Sequence, residues 1–418
     1  MIDPNSYKIE KFEVGDYDIR ESVSQLKYYE SVLSPAITFE AVIAENDGIL
    51  SGNRGGGGLK GGEPTKIKIN GPTGGPSPLE FNNLYLRKIS SVTPDSRTNV
   101  YILTFTTAGA LINETSRCSM KYTGKISDIV SSILNSTVAS DSNTSTDIEA
   151  TENTYSFIGN ARKPFHTITW LAKKAIPEQG TGITNTEGTA GFFFYEDRDG
   201  YKFVSVDSLI SGDFSDNAGT LTYEQTDSKE PTDDGRYKIL SYSYDTNFDL
   251  LENLRLGMFS NINYFYSPFD QTTQCYQYNL KDSYAGKIKT LEPAADPYAV
   301  PLGLDESPSR VMVAILDQGT LEPTGKIEQL ETVSQDQPKY QAQAVVRYNL
   351  IFSQTVSITV PSNLTLKIGD TITCKFITAG AKADNIRSGK YLVAELSHQF
   401  SDNKGYTGLR LIRDSYGG

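Results

Sequence analysis

Alternating apolar and polar positions dominate the first hundred residues of the chain. In the clearest stretch, one face of the predicted strand carries Ile37, Phe39, Ala41 and Ile43. Alternation of this kind, rich in β-branched and aromatic residues, indicates strands with one buried and one solvated face. The pattern recurs over Lys66–Ile69, Leu84–Ile89 and Val100–Thr106. Residues 1–112 are therefore predicted to form an antiparallel sheet or barrel.

The apolar periodicity becomes helical after residue 112. Between Gly124 and Asn135, apolar residues recur at i, i+3, i+4, i+7 and i+8, namely Ile126, Ile129, Val130, Ile133 and Leu134. This spacing places them on one face of a helix. A second helix is predicted to begin at Lys163, with Pro164 in its first turn, and to stop at Pro177.

Two predicted strands, Phe192–Glu196 and Tyr201–Val206, flank the sequence Asp197-Arg198-Asp199-Gly200 and indicate a hairpin. The polar stretch at 136–156 is interpreted as an exposed loop. Residues 113–235 are accordingly predicted to be an α+β insertion domain.

Strand patterns return after the insertion. Arg236–Tyr244 alternates and Arg255–Tyr266 is rich in aromatics, so residues 236–268 are predicted to complete the first barrel. Residues 269–335 are mixed and contain prolines, which suggests a connecting mixed domain. Residues 336–418 are predicted to be a second β-barrel. Its expected strands are Ala342–Phe352, Ser357–Val360, Thr371–Thr378, Gly389–Gln399 and Gly408–Arg413.

Length and charge narrow the class of protein. A chain of 418 residues exceeds what one core usually serves, which favours two or more domains. Lysine and arginine total 39 against 51 acidic residues, for a formal charge of −12. A sequence-independent nucleic-acid binder needs cations to neutralise phosphates, so this charge argues against that class.

The cysteines and the N-terminus bear on the compartment. Cys118, Cys275 and Cys374 are far apart and odd in number, and they are expected to be free, buried thiols in a reducing cytosol. Met1–Glu30 has no apolar core of a signal peptide, and no apolar run reaches the length of a membrane span. Synthesis and folding in a cytosol are therefore expected.

The sequence offers little material for catalysis. A hydrolytic triad usually needs a histidine base, and only His166 and His398 exist, both interpreted as structural. The glycine-rich run Gly52–Gly62 lacks the Gly-Lys-Ser/Thr ending of a phosphate-binding loop and is interpreted as a flexible hairpin tip.

Carboxylates in the segment Tyr195–Gly200 match neither a calcium loop nor a glycosidase pair, so a solvated turn is expected there. The predicted protein is not an enzyme and has no catalytic, cofactor-binding or metal-binding residues. A carbohydrate- or oligonucleotide-binding barrel would need exposed aromatics, for which Tyr391 and Phe400 are candidates, although core packing explains them equally well.

Several blocks, in order along nearly the whole chain, resemble the baseplate central hub proteins of T-even-type contractile-tailed phages, particularly those of cyanobacterial-phage relatives. They are Leu26–Glu40; Asn113–Val130; Pro164–Leu171 with Gly191–Glu196 and Gly200–Phe203; and Leu364–Asp370 with Ser388–Val393, His398 and Leu409–Ser415. The resemblance implies a mainly β fold with two tail-tube-like antiparallel β-barrels and an α+β insertion. It transfers no catalytic position and no cofactor.

The resemblance also implies an assembly. Three chains with two barrels each would form a pseudo-hexameric ring that joins the six-fold tail tube to the three-fold central spike. Implied partners are two further copies of the chain, the central spike protein, the tail tube or tube-initiator protein, and inner baseplate (wedge) proteins. Genomic DNA would pass through the lumen without specific binding. The implied location is the tail baseplate of a virion assembled in the bacterial host cytoplasm.

Two alternatives and two finer expectations remain. A receptor- or glycan-binding tail protein is the main alternative, and a wall-degrading enzyme is disfavoured because no acid and nucleophile pair stands out. The subunit interfaces are expected at Arg20–Phe39 and Arg347–Val360. Acidic or neutral side chains are expected at the lumen, where their neutralisation should impede DNA passage and leave assembly intact.

Overall fold

The protein is described from a computed structural model. It covers residues 5–45, 58–71, 78–94, 98–137, 144–178, 189–215, 219–226, 237–246, 249–268, 271–281, 290–291, 301–304, 306–315, 337–378, 380 and 382–414. Most of the Gly52–Gly62 run, and most of the connecting domain predicted at 269–335, lie outside these residues. Within them the chain is mainly β with large antiparallel sheets, which confirms the predicted fold class.

The N-terminal part consists of strands, as the alternation predicts. They are β1 (Lys8–Val14), β2 (Tyr17–Asp18), β3 (Val23–Ser31), β4 (Thr38–Glu45), β5 (Pro64–Asn70), β6 (Leu79–Pro94) and β7 (Asn99–Thr107). The predicted inward face of β4 is buried: Phe39, Ala41 and Ile43 have no exposed surface. All seven strands join one sheet in the order β3-β4-β7-β6-β5-β1-β2.

The insertion packs helices on two small sheets. Its elements are α1 (Ala108–Thr115), β8 (Lys121–Lys125), α2 (Ile126–Thr137), β9 (Ser145–Ile148), β10 (Thr154–Ile158), α3 (Pro164–Ala172), β11 (Phe192–Asp197), β12 (Gly200–Ser205) and α4 (Val206–Ser211). The five apolar residues predicted to share one face of α2 are all buried. Because β9 lies within 136–156 and β10 begins there, the expectation of an exposed loop over this stretch is wrong.

Two strands and a small separate sheet follow the insertion. They comprise β13 (Thr222–Glu224), β14 (Ser241–Thr246), α5 (Leu250–Leu256), β15 (Ser260–Ser267), β16 (Thr272–Asn279) and β17 (Arg310–Ile315). β14 pairs with a strand of the C-terminal part, and β15 pairs only with β16 and β17. Residues 236–268 therefore do not complete the N-terminal barrel, because their hydrogen bonds go elsewhere.

The C-terminal part begins with a helix. Its elements are α6 (Gln337–Ile351), β18 (Gln354–Pro361), β19 (Thr371–Lys375), β20 (Gly389–Ser401) and β21 (Lys404–Arg413). The strand predicted over Ala342–Phe352 is wrong. Ala342, Val346 and Leu350 are buried at i, i+4 and i+8, which is helical spacing, and they pack against the small sheet.

One hydrophobic core serves both ends of the chain. It contains Phe39 and Phe105 from the N-terminal strands together with Leu396 and Leu411 from the C-terminal strands. The insertion has its own core, built on α2, α3 and β12. Among the described residues, no helix combines the length and the apolar content needed to cross a lipid bilayer.

A buried ion-pair cluster ties three parts of the chain together. Arg347 of α6 pairs with Asp207 of α4 at 2.9 Å and with Asp414, just after β21, at 3.4 Å. The three side chains are at most 4% exposed. Asp207 also accepts a hydrogen bond from the Thr189 backbone N–H at 3.0 Å. The cluster therefore connects the insertion, the helix and the C-terminal strands.

Replacing Arg347 with alanine should destabilise the fold strongly. Arg347→Ala leaves two carboxylates buried without their cation, which should cost about 3–5 kcal/mol of unfolding free energy. Arg410→Ala is the matched control, because Arg410 forms a half-exposed pair with Glu395 and its loss should cost less than about 1 kcal/mol. Chemical denaturation would measure both, and equal losses would contradict the role given to the cluster.

Candidate functional surface: the outer face of the joined sheet

The long strand β20 joins the two ends of the chain into one sheet. Its first residues pair with β19, from Gly389↔Cys374 to Leu392↔Thr371. Its later residues pair antiparallel with β3, from Glu395↔Ser31 to Ser401↔Gln25. The backbone N–H of Val32 extends this junction by donating to Ala394 O at 2.9 Å. The two ends of the chain thus form one thirteen-stranded sheet, in the main order β14-β18-β21-β20-β3-β4-β7-β6-β5-β1-β2, with β19 and β13 on a side branch from β20.

The sheet order bears on the interface positions expected at Arg20–Phe39 and Arg347–Val360, which remain predictions. Within Arg20–Phe39, β3 lies between β20 and β4, and within Arg347–Val360, β18 lies between β14 and β21. Neither is an edge strand, because their hydrogen-bonding edges are used inside the chain. Among the described residues the sheet ends instead at β14 and at β1–β2.

The outer face of the joined sheet is rich in hydroxyl and amide groups. Strand register places residues opposite one another across the junction, for example Ser397 opposite both Tyr29 and Gly408. Small polar side chains on this face are Gln25, Ser31, Thr38, Ser241, Ser243, Ser357, Thr359, Ser397 and Gln399. The polar face thus runs without a break from β14 to β4.

This outer face is concave at the junction. A groove of about 530 Å³ runs over β18, β21, β20 and β3 and is lined by residues such as Tyr29, Ser357 and Ser397. A Cβ atom at Gly408 would lie 2.7 Å from Ser397 Oγ, so glycine permits the close strand approach there. The groove floor is therefore made by backbone and short side chains.

Charges on the outer face are nearly balanced. Glu395 accepts a hydrogen bond from Arg410 Nη1 at 3.2 Å, and Lys27 lies directly opposite Glu40 in the β3–β4 register. Lys88 adds a further cation on β6. These three cations and two carboxylates therefore share the middle of the face with mostly uncharged groups. The β1–β5–β6 end of the same face adds further charges, among them Lys66 opposite Glu13 and Lys68 opposite Glu80.

Buried carboxylates sit beneath this junction. Glu30, on the inward side of β3, accepts a hydrogen bond from the Arg198 backbone N–H at 2.9 Å and another from the Tyr28 hydroxyl. The Arg198 guanidinium donates to the carbonyl oxygens of Leu364 and of Thr365, the latter at 2.7 Å. The tip of the β11–β12 hairpin is therefore inserted between the N-terminal and C-terminal strands.

Glu196 anchors the same hairpin on its other side. Its Oε2 accepts hydrogen bonds from Thr107 Oγ1 at 2.7 Å and from the Ile37 backbone N–H at 3.2 Å. Glu196 and Asp197 are each at most 4% exposed, so the expectation of a solvated turn at Tyr195–Gly200 is wrong for these two carboxyl groups, although Asp199 at the turn itself is exposed. The hairpin itself is confirmed, but it is a buried connector that holds the insertion against the joined sheet.

Burial dominates the electrostatics of these carboxyl groups. Burial raises the pKa of Glu30 to about 8, helped by the charge of Asp197 and opposed by the Tyr28 hydrogen bond. Burial likewise raises the pKa of Glu196 to about 8, against hydrogen bonds from Thr107 and Ile37. Glu30 accepts a hydrogen bond from the Arg198 backbone N–H, and Glu196 accepts one from the Ile37 backbone N–H. Each carboxyl group therefore connects two segments of the chain.

Other residues singled out in the sequence fall at separate places. His398 is buried inside β20, contacts Thr407 Oγ1 through Nδ1 at 2.9 Å and stacks on Tyr28, and burial lowers its pKa to about 3. His166 is exposed on α3. Tyr391 and Phe400 have no exposed surface, so they belong to the core and cannot form a binding face.

Of the three cysteines, Cys118 and Cys374 are buried as expected, whereas Cys275 is exposed. All three are free. Among the described residues, no group of three or more histidine, cysteine and carboxylate side chains is arranged to hold a metal ion.

An apolar cleft of about 410 Å³ lies between the insertion and α6. It is lined mainly by aromatic and aliphatic side chains, including Val32, Leu33, Trp170, Phe192, Phe194, Tyr348 and Phe352. His166, Thr169 and Lys173 also border it. Concave sites of this size with mainly apolar walls and a few polar groups suit small ligands.

Comparison with known proteins gives a fold match without sequence similarity. No protein-family model and no curated protein matches the chain. The tail protein of Neisseria meningitidis MC58 aligns over 98% of this chain and 97% of its own, at 11% identity and a TM-score of 0.59. The 43 kDa tail protein of prophage MuSo2 from Shewanella oneidensis aligns over 97% and 98%, at 10% identity and a TM-score of 0.54.

Both matches extend over nearly the full length of each chain. They show that the whole architecture, with the joined sheet and the insertion together, is a fold that tail proteins also have. No other feature of those proteins is transferred by a likeness at this level of identity.

Removing the ionisable group of Glu30 should flatten the dependence of stability on pH. A carboxyl whose folded pKa of about 8 exceeds its ordinary 4.5 holds its proton longer when folded, so stability falls as pH rises through that window. Glu30→Gln should therefore lose less stability than the wild type between about pH 5 and about pH 9. Denaturant midpoints across this range would measure the difference.

Glu40→Gln is the control for this comparison, because Glu40 lies on the outer face of the neighbouring strand. It should keep the wild-type pH dependence. Parallel curves for the wild type and Glu30→Gln would contradict the assignment of a buried, protonated Glu30.

Proposed function

We propose that this protein is a structural baseplate hub of a contractile phage tail. The observation that carries the proposal is the β20–β3 pairing, which fuses two β modules of one chain into a single curved sheet with a polar concave face. The full-length fold match to two tail proteins supports it. In this role the chain is not an enzyme, and its task is to hold a shape.

Two similar modules in one chain suit a change of symmetry. Three copies arranged cyclically present six β modules, so a three-fold ring offers six comparable surfaces to a six-fold tube. The tube-like units of this proposal are residues 1–112 and residues 336–418, the latter extended by β14. The ring joins the tail tube or its initiator on one side to the central spike on the other, with inner baseplate proteins around it.

The concave face lines the channel in this proposal. Hydroxyl and amide groups with balanced charges give a duplex few cations to bind, so phosphates slide past instead of being held. The net charge of −12 acts in the same direction, because it opposes DNA binding to the rest of the protein. Genomic DNA thus passes without specific contacts, in a virion tail assembled in the host cytoplasm.

A receptor- or glycan-binding tail protein is the second candidate. The apolar cleft with Trp170 and Tyr348 favours it, since sugar rings stack on such side chains. Isothermal titration against host-surface glycans, with Trp170→Ala as the binding-defective control, tests it. Wild-type binding that Trp170→Ala abolishes would move this function to first place.

The oligomeric state tests the hub directly. Light scattering on the purified protein, alone and co-expressed with the spike, should give three times 46.0 kDa, or 138 kDa, for the protein component. A species that stays at 46.0 kDa even with the spike present would contradict the hub.

Removing the carboxylates of the outer face should create affinity for DNA. Glu40→Gln with Glu395→Gln leaves Lys27, Lys88 and Arg410 without counter-charges, and duplex binding should appear with a log–log salt slope of about −0.9 for each phosphate contacted. Fluorescence anisotropy measures it in the assembled protein. Glu114→Gln with Glu178→Gln makes the same charge change in the insertion, where it leaves Lys163 and Lys125 without counter-charges, and should bind no better than the wild type. Equal affinity of the two double variants would contradict the placement of the channel.

A further inference from the structure

The small sheet of β15, β16 and β17 exposes an unusually apolar face. Alternation along β15 directs Asn261, Asn263 and Phe265 inward and Tyr264 and Tyr266 outward. Register places Val313 and Ile315 of β17 beside these two tyrosines, and Cys275 of β16 opposite Tyr264. The inner face packs on α6, and the outer face has no cover from the described residues.

The alternation along β17 is the opposite of what is expected for a strand in a monomeric protein, because its aliphatic side chains face solvent. Its β-branched aliphatic residues point outward, with Val311, Val313 and Ile315 exposed by 60%, 77% and 67%. Arg310, Met312 and Ala314 alternate with them and are half-buried. A one-residue change of register would turn Val311, Val313 and Ile315 to the inner face and bury them. The observed register instead leaves their apolar surface exposed, and exposed apolar surface of this kind marks a site of interaction with another surface.

The outer face is also uncharged. The outward residues across the three strands are Ile262, Tyr264, Tyr266, Thr273, Cys275, Gln277, Val311, Val313 and Ile315. It offers no cations for phosphates, which excludes a nucleic-acid ligand. A chain with a charge of −12 repels another copy of itself over most of its surface, and an uncharged apolar face is where two copies meet at least electrostatic cost.

We infer that a second copy of this chain covers the outer face of β15–β17, and that this contact closes the ring. The inference rests on the proposed cyclic trimer and assigns an interface within it. β17 is the last strand of its sheet among the described residues, so its free edge lies beside the apolar face and adds hydrogen-bonding groups to the same contact. In a three-fold ring each chain gives this surface to one neighbour.

Val313→Asp tests the inference, because it places a charge at the most exposed aliphatic position of the face. The variant should run as a monomer in light scattering at concentrations where the wild type is a trimer. Ile158→Asp is the matched control: Ile158 is also a β-branched residue, 56% exposed, on the last residue of strand β10. It should leave the trimer unchanged, and circular dichroism should show both variants folded.

The reactivity of Cys275 supplies a second readout, which reports directly on whether the face is covered. It is the exposed thiol at the centre of the face, whereas Cys118 and Cys374 are buried. Alkylation by iodoacetamide, followed by peptide mass spectrometry, should be at least tenfold slower at Cys275 in the wild-type trimer than in the Val313→Asp monomer.

The outcomes separate the interface from the function. A trimer that persists in Val313→Asp, or a trimer in which Cys275 reacts as fast as in the monomer, would overturn the interface and leave the hub intact. Slow reaction of Cys275 in the Val313→Asp monomer would also overturn it, since the chain itself would then cover the face. A wild type that stays monomeric with the spike present would refute the hub, and the interface with it.

Discussion

The hydrogen-bond ladder between β20 and β3 is the constraint on which the rest of the structure depends. It joins strands that lie more than three hundred residues apart and makes one sheet from the two ends of the chain. Because side chains alternate along each strand, the register of this ladder fixes which residues face the core and which face outward. Leu26 and Tyr28 enter the shared core, and Tyr29 and Ser397 are directed to the concave face. The insertion and the small sheet lie around the joined sheet, whose form depends on this ladder.

Buried polar and charged groups, and not apolar contacts alone, fix how the parts of the chain meet. Glu30 and Arg198 connect the hairpin of the insertion to both halves of the sheet, and Arg347 connects α6 to Asp207 and Asp414. Burying charge costs free energy, so such clusters are poor sources of stability compared with apolar packing. Their geometry nevertheless admits few alternative arrangements, because each carboxylate needs its particular donors. We interpret them as the groups that give a shape-determining protein one docking geometry between its parts.

Local features of this fold could be predicted from the sequence, and long-range pairings could not. Alternation gave the strands around Phe39 and Leu103, and helical spacing gave the buried face of α2, because both depend on neighbouring residues alone. The pairing of β14 with β18 joins segments over a hundred residues apart and leaves no local pattern. Residues 342–352 were wrongly predicted as a strand, since a short apolar run satisfies both periods until its packing partner is known. Glu30 could have been noticed as a carboxylate on the inward side of β3, whereas the burial of Asp197 depends on a surface that other parts of the chain build.

The central claim is that the concave face spanning β18, β21, β20 and β3 lines a channel through a ring of three chains. An electron cryo-microscopy reconstruction of the assembled protein with the spike tests it most directly. The account predicts a central hole whose wall is formed by this face, with Tyr29, Ser397 and Glu395 directed into it from each chain. A reconstruction in which these residues face the outside of the particle, or in which no hole exists, would contradict it.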